Sequence, residues 1–193
     1  MFLKSEIMRK ALIGSAIRTI SEVGIDHATT KLLATNAGLN EVYIYRIFGG
    51  KDELFKEAFI SIDKSFSDAI LSFLPIVYDK SIDIRVRFRK LFEKVWQYAL
   101  DDKEQCSFFI RYYYSRCYTN AMTEDRKRIY FKIIKIFETA FSHGADAWWL
   151  FNHILDVIFS SAVKILREEI PDNKQTEEKI FDLIYSAIQP HLK

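Results

Sequence analysis

An all-α fold is what this chain predicts: a small three-helix unit at the amino end, then a larger helical body, about nine helices in all. Three observations carry that expectation. The 193 residues include only 6 Gly and 3 Pro, too few turn formers for a sheet-rich chain. Apolar residues make up 49% of the chain, ample for a packed core. They also recur at three- and four-residue spacing, the rhythm of amphipathic helices rather than the two-residue alternation of strands.

The first helix is expected from about Lys4 to Val23, with Met8, Leu12, Ala16 and Ile20 on one stripe and Gly24 as its stop. Next comes the stretch Thr29–Leu54, TTKLLATNAGLNEVYIYRIFGGKDEL, which reads as two short helices and a tight turn. Thr30 is the expected N-cap of a helix reaching Ala37, and Gly38 ends it. Asn40 caps a second short helix, roughly Glu41 to Phe48, which stops at Gly49-Gly50. At 100° per residue Ile44, Ile47 and Phe48 share its inner face, with Ala34 at the helix crossing. Val42 and Arg46 fall on the opposite face, flanked by Tyr43 and Tyr45.

From Lys51 a fourth helix runs towards Leu74, and its i, i+3/i+4 rhythm from Leu54 to Phe73 makes it a rod shared between two modules. A fifth holds Phe88, Leu91, Phe92, Val95, Trp96 and Ala99. A sixth spans Glu104–Cys117, a seventh Glu124–Phe141, an eighth Asp146–Glu169, and a ninth starts near Thr176. The expected division is residues 1–50 and 51–193.

Thr29-Thr30, Leu33-Ala34, Ala37-Gly38-Leu39, Ile44-Tyr45, Phe48 and Lys51-Asp52-Glu53-Leu54 resemble the amino-terminal domain of TetR-type (tetracycline-repressor-like) regulators. The resemblance covers roughly the first sixty residues, and FFIRYYYS at Phe108–Ser115 is similar to a sixth-helix segment of some members. The chain departs from the family pattern at Val42, Tyr43 and Ile47, where Gly, Thr and His or Tyr are usual. The resemblance implies a helix-turn-helix DNA-binding domain, a helical effector-binding and dimerisation domain, and a ligand-responsive transcriptional regulator, most simply a repressor on a palindromic operator. The contrasting reading is a small-molecule-binding dimerisation module without sequence-specific DNA binding.

Carried over residue by residue, the DNA-binding set is Thr30, Lys31, Glu41, Val42, Tyr43, Tyr45, Arg46 and Lys51. Thr30, Tyr45 and Lys51 are assigned to phosphates, which position without reading sequence. Lys31, Glu41, Val42 and Tyr43 are assigned to base edges, and Arg46 to either. Each residue taken singly also reads as a solvated polar position. The net charge of +2 identifies no partner, and residues 1–60 hold 8 Lys or Arg against 7 Asp or Glu. A DNA footprint must therefore come from placement of charge.

The aromatic content of 15% is concentrated in the middle of the chain, in Phe92, Trp96, Phe108, Phe109, Tyr112, Tyr113, Trp148, Trp149 and Phe151. Each reads first as packed core, while the resemblance implies an effector pocket between the fifth and eighth helices. Arg111, Arg116 or His153 are the groups on hand for an anionic ligand. Arg126, Lys127, Arg128, Lys132 and Lys135 read as a solvated basic face. The stripe Ile154, Ile158, Ala162 with Ile180, Ile184, Ile188 is assigned to a homodimer interface, because both helices look apolar on more than one side.

No catalytic residue, metal or cofactor is expected. The four histidines (His27, His143, His153, His191) show no paired ligand spacing, and no phosphate loop or nucleophile elbow occurs. No run reaches the ~18 uninterrupted apolar residues of a membrane span, and the start MFLKSEIMRK is too polar for a secretory signal. The expected setting is cytoplasmic, with double-stranded DNA, a second copy of the chain and an unidentified small-molecule effector as partners, and no membrane. On one straight helix Cys106 and Cys117 would stand about 16 Å apart at 1.5 Å per residue, beyond disulfide reach.

Overall fold

Residues 2–142 and 144–193 are described by a computed structural model; His143, one of the histidines weighed above, lies outside the described residues. Among the described residues there are nine α-helices and no strand: α1 Phe2–Val23, α2 Thr30–Asn36, α3 Val42–Phe48, α4 Lys51–Phe73, α5 Ile84–Asp101, α6 Lys103–Tyr113, α7 Asn120–Ala140, α8 Ala147–Leu166 and α9 Lys174–Ile188. A 3-10 turn, Leu74–Tyr78, follows α4 where Pro75 removes a backbone donor.

Helix starts are set by short polar side chains. Asp83, Asp146 and Asn173 accept hydrogen bonds from the backbone N–H groups of Arg85, Trp149 and Thr176 at 2.9, 2.9 and 3.0 Å, each cap stabilising its helix by about 1 kcal/mol. With Asn173 as its cap, α9 starts at Lys174, two residues before the expected Thr176. Helix α6 ends at Tyr113, so Cys117 lies beyond it and the one-helix spacing of the two thiols does not apply; neither is in a disulfide.

The chain divides into two compact units, Met1–Asp63 with Glu104–Met122 and Lys64–Lys103 with Thr123–Lys193. The division falls inside α4, not at residue 50, and α6 belongs to the first unit. The reason is aromatic: Phe59 of α4 stacks on Phe109 at 4.7 Å and lies 4.9 Å from Tyr112, all three fully buried. Burying each such ring contributes roughly 1.5–3 kcal/mol. Within the same unit Arg9 of α1 pairs with Glu57 of α4, donates to the Ile47 carbonyl at 3.4 Å and lies 5.0 Å over the Phe48 ring. The hydrogen bond to Glu57 raises the Arg9 pKa further, so the guanidinium stays charged.

In the second unit α5, α8 and α9 pack on one another. Phe66 meets Phe159 at 4.8 Å, Tyr130 meets Phe151 at 4.9 Å, and Phe92 meets Phe181 at 5.4 Å. Lys127, Arg128, Lys132 and Lys135 of α7 are exposed, as a solvated face requires. Arg126 is the correction: it is only 3% exposed, donates to Asn152 Oδ1 at 3.0 Å and lies under 6 Å from the Tyr130 and Trp148 rings. Helix α8 is long and apolar enough to cross a bilayer by length and composition, and half of its most apolar stretch is buried inside this chain.

Two outcomes follow. Arg9→Met, which keeps the stem but loses the charge, is expected to destabilise the protein by about 1–2 kcal/mol, a pair this exposed being worth less than a buried one. That is a thermal midpoint lower by roughly 3–6 °C for a chain of this size, and an unchanged midpoint would show that the pair contributes nothing. Asp156 on α8 has its pKa raised by burial, with Arg126 and His153 pulling the other way. Its ionised form is therefore penalised by folding: the penalty is absent below the unfolded value of about 4 and complete above the raised folded value. Asp156→Asn is expected to raise the melting temperature at pH 7, with the gain vanishing as pH falls towards about 4.

Candidate nucleic-acid interface and interior sites

The helix-turn-helix is built from local bonds the sequence specifies. Thr29, not Thr30, is the N-cap of α2: its hydroxyl accepts from the Leu32 N–H at 3.2 Å. Gly38, at φ +66°, turns the chain; its N–H reaches the Thr35 carbonyl at 3.0 Å and the Leu39 N–H reaches Ala34 at 2.9 Å. That paired closure needs a left-handed residue, which glycine adopts without strain. Asn40 Oδ1 accepts from the Val42 N–H at 3.0 Å, although the N-cap position of α3 is Glu41, one residue later than expected. Two side-chain bonds tie α2 to α1: Ser15 donates to the Leu33 carbonyl at 2.7 Å, and Asn36 donates to Thr19 Oγ1 at 3.0 Å.

Ile44 and Phe48 are buried, so α3 is held to the body by the face the sequence predicts. Its other side is open. Val42 is 62% and Tyr45 56% exposed, and Glu41, Arg46 and Lys31 are exposed as well. Val42, Tyr45 and Arg46 stand at i, i+3 and i+4, one outward stripe. Thr30, Tyr43 and Lys51 are half-buried.

Two contacts engage Thr30 and Tyr43. With Thr29 capping α2, the Thr30 hydroxyl is freed to donate to Glu41 Oε2 at 3.2 Å, which orients the carboxylate. The Arg46 guanidinium lies 5.5 Å from the Tyr43 ring centroid, a cation–π contact worth about 0.5–1 kcal/mol at an exposed site. Tyr43 thus serves as a platform for Arg46. Sequence reasoning named all four residues, but not these pairings: Thr30 and Glu41 stand eleven residues apart, and the i, i+3 spacing of Tyr43 and Arg46 does not say which rotamer is taken.

The aromatic set does not form one site. Phe108, Phe109, Tyr112 and Tyr113 lie in the first unit, where the first three are buried, Phe109 and Tyr112 against Phe59 and Phe108 against Tyr112. Tyr112 donates to the Cys117 carbonyl at 3.3 Å, and burial pushes its phenol pKa up. Arg111 and Arg116 lie in the same unit; Arg116 lines a polar cleft together with Lys51, and both arginines line a second one. In the second unit Phe92 and Phe151 line an apolar cavity of about 50 Å³. Trp96 is buried against Phe92 at 5.9 Å, and Trp148 is half-buried beside Phe151 at 6.4 Å. The pocket expectation thus keeps Phe92 and Phe151 at a cavity and places Phe108, Tyr112 and Tyr113 elsewhere.

The interface stripe is corrected too. Ile158, Ala162, Ile180, Ile184 and Ile188 are buried within the single chain and Ile154 is half-buried. They fill the core that α8 and α9 share with α5. The large apolar residues that these two helices leave exposed are others: Trp149 at 64%, Leu166 at 42% and Leu183 at 66%. Among the described residues no three of His, Cys, Asp or Glu converge as metal ligands would.

Residues 12–58 match the family described as bacterial regulatory proteins, tetR family. Over 64 residues the chain is 38% identical to the HTH-type transcriptional regulator BetI 1 of Chromohalobacter salexigens, a match covering 33% of this chain and 32% of that one. The chain therefore matches about a third of the length of this curated relative. The fold extends further. A TetR family transcription regulator from Marinobacter aquaeolei VT8 superposes with a TM-score of 0.78 at 16% identity, over 97% of this chain and 98% of that one. The multidrug binding protein EbrR, solved with imidazole, does so with a TM-score of 0.61 at 15% identity, over 92% and 93%.

The Tyr43 platform is testable in the free protein. Ring-current displacement of the Arg46 δ-methylene protons is expected in the wild type and in Tyr43→Phe, and lost in Tyr43→Leu. Identical shifts in all three would remove the stacking.

Proposed function

We propose that this chain, whose amino-terminal domain is that of the tetR family of bacterial regulatory proteins, is a cytoplasmic DNA-binding transcriptional regulator that works as a homodimer and responds to a small molecule. The observation that carries the reading is the outward face of α3. Ile44 and Phe48 anchor the helix while Glu41, Val42, Tyr45 and Arg46 stay open to solvent, which is the arrangement a major groove accepts. Tyr45 and Lys51 supply phosphate contacts, and Lys31, Glu41, Val42 and Arg46 supply base contacts. Glu41 accepts from a cytosine amine, Arg46 donates to guanine, and Val42 meets a thymine methyl.

Dimerisation follows from the apolar residues that α8 and α9 leave uncovered, Trp149, Leu166 and Leu183. An isologous contact there would set two recognition helices about one duplex turn, ~34 Å, apart on a palindrome. Repression is the simplest output, because a dimer seated on its operator obstructs transcription without needing another surface. A second reading, a dimerisation module without sequence-specific DNA binding, draws on the bulk of Val42 and Tyr43 where the family usually has Gly and Thr.

Selection from a random-sequence duplex library separates the two. A regulator enriches a palindrome whose binding weakens steeply with salt. In that case Lys51→Ala should weaken all sequences alike, while Glu41→Ala should change base preference at one position of each half-site. Enrichment of no sequence would leave the second reading. Sedimentation of the wild type should show a dimer at micromolar concentration, and Leu183→Glu with Trp149→Glu should yield folded monomer; a monomeric wild type would overturn the dimer.

A further inference from the structure

The cavity in the second unit is small, and its chemistry is uniform. It holds about 50 Å³, and the thirteen side chains lining it, among them Phe88, Phe92, Phe137, Phe151, Leu155 and Ile184, are all hydrocarbon. None can donate or accept a hydrogen bond. The cations that would have met an anionic ligand, Arg111 and Arg116, belong to the first unit. His153 of α8 instead stacks on the exposed Trp149 at 6.1 Å. An ionised ligand group placed in such a lining loses its hydration with nothing returned, and is neutralised or excluded.

We infer that this cavity is a binding site for an uncharged hydrocarbon or aryl ligand. As an effector site it rests on the regulator reading above. Size sets how the ligand enters. A cavity of about 150 Å³ lined by Leu, Ile and Phe stays dry and takes benzene or xenon, and ordinary ligand pockets run to roughly 300–1,000 Å³. At about 50 Å³ the site takes a single apolar atom as it stands. It admits a ring or chain only when neighbouring phenylalanines turn. Phe88, Phe92, Phe137, Phe151 and Phe181 surround it with ring-to-ring centroid separations of 5.4 to 6.3 Å, so the movable groups are the lining itself. Their rotation enlarges the site without exposing a polar atom.

The test uses the full-length protein with three probes of one ring size and different charge: toluene, benzoate and benzylammonium, with xenon as the probe for the unopened cavity. Xenon is expected to show saturable 129Xe shifts. Toluene is expected to raise the thermal midpoint and to shift the methyl signals of Leu91, Val95 and Ile184. The two ions should bind at least tenfold more weakly. Leu91→Phe, and the milder Val95→Leu if the first fails to fold, should weaken both neutral probes at least fivefold with helix content unchanged. Benzoate or benzylammonium binding as tightly as toluene would overturn the inference, as would a folded wild type that binds neither xenon nor toluene. DNA retention measured on the same samples keeps the two readings apart. Toluene that binds without altering retention leaves the ligand class standing and removes its regulatory role; absence of any DNA binding removes the proposed function alone.

Discussion

One arginine organises the amino-terminal unit. Arg9 sits on the first helix, yet its guanidinium engages Glu57 of α4, the Ile47 carbonyl near the end of α3 and the face of Phe48. Three helices are therefore referenced to a single planar group, whose fork of donors suits several acceptors at once. The consequence is specific to α3. A helix of seven residues is too short to persist by its own hydrogen bonds. It keeps its register because Ile44 and Phe48 are buried and because Arg9 engages its carboxyl end. The opposite side, with Val42, Tyr45 and Arg46, is left exposed.

The same unit recruits a helix from much later in the chain. α6 is separated from α4 by some thirty residues of sequence that belong to the other unit, and it is held by Phe59 between Phe109 and Tyr112. The edge between the units therefore does not follow chain order. α4 contributes to both, with Phe59 among the first unit's rings and Phe66 among the second's. A continuous helix resists local bending, since each residue is fixed by hydrogen bonds four residues away. Packing changes at one part of such a helix are not easily absorbed within it.

Much of the fold was legible because it is written in local chemistry. Gly38 with Asn40 marks the turn, Ile44 with Phe48 marks the buried face, and Asp146 marks the start of α8. Where the reading failed, a non-local choice was being made. Thr29 and Thr30 are both good caps; Thr29 caps the helix, and the Thr30 hydroxyl goes instead to Glu41, eleven residues further on. Arg126 stands in a run of cations that are otherwise solvated, and only the arrival of Asn152 and the rings of Tyr130 and Trp148 buries it. The stripe from Ile158 to Ile188 was rightly apolar but wrongly aimed. Periodicity shows that a face is hydrophobic, not whether its own chain or another covers it. The aromatic set failed for the same reason, since abundance in sequence says nothing of which rings meet.

A small apolar cavity is better suited to switching than a large preformed one. A ligand moves a conformational equilibrium only by its difference in affinity between the two states, however tightly it binds either. A roomy pocket present in both states offers little difference. A cavity of about 50 Å³ excludes a ring-sized molecule from one state by repulsion between packed side chains, and an opened arrangement of the same phenylalanines accepts it. The discrimination then comes from sterics rather than from a dedicated polar contact. Because protein interiors are close-packed, the displaced rings must push on what surrounds them. Here that includes Ile70 of α4, which lines the cavity and belongs to the helix that contributes Leu54, Phe55 and Phe59 to the core of the other unit.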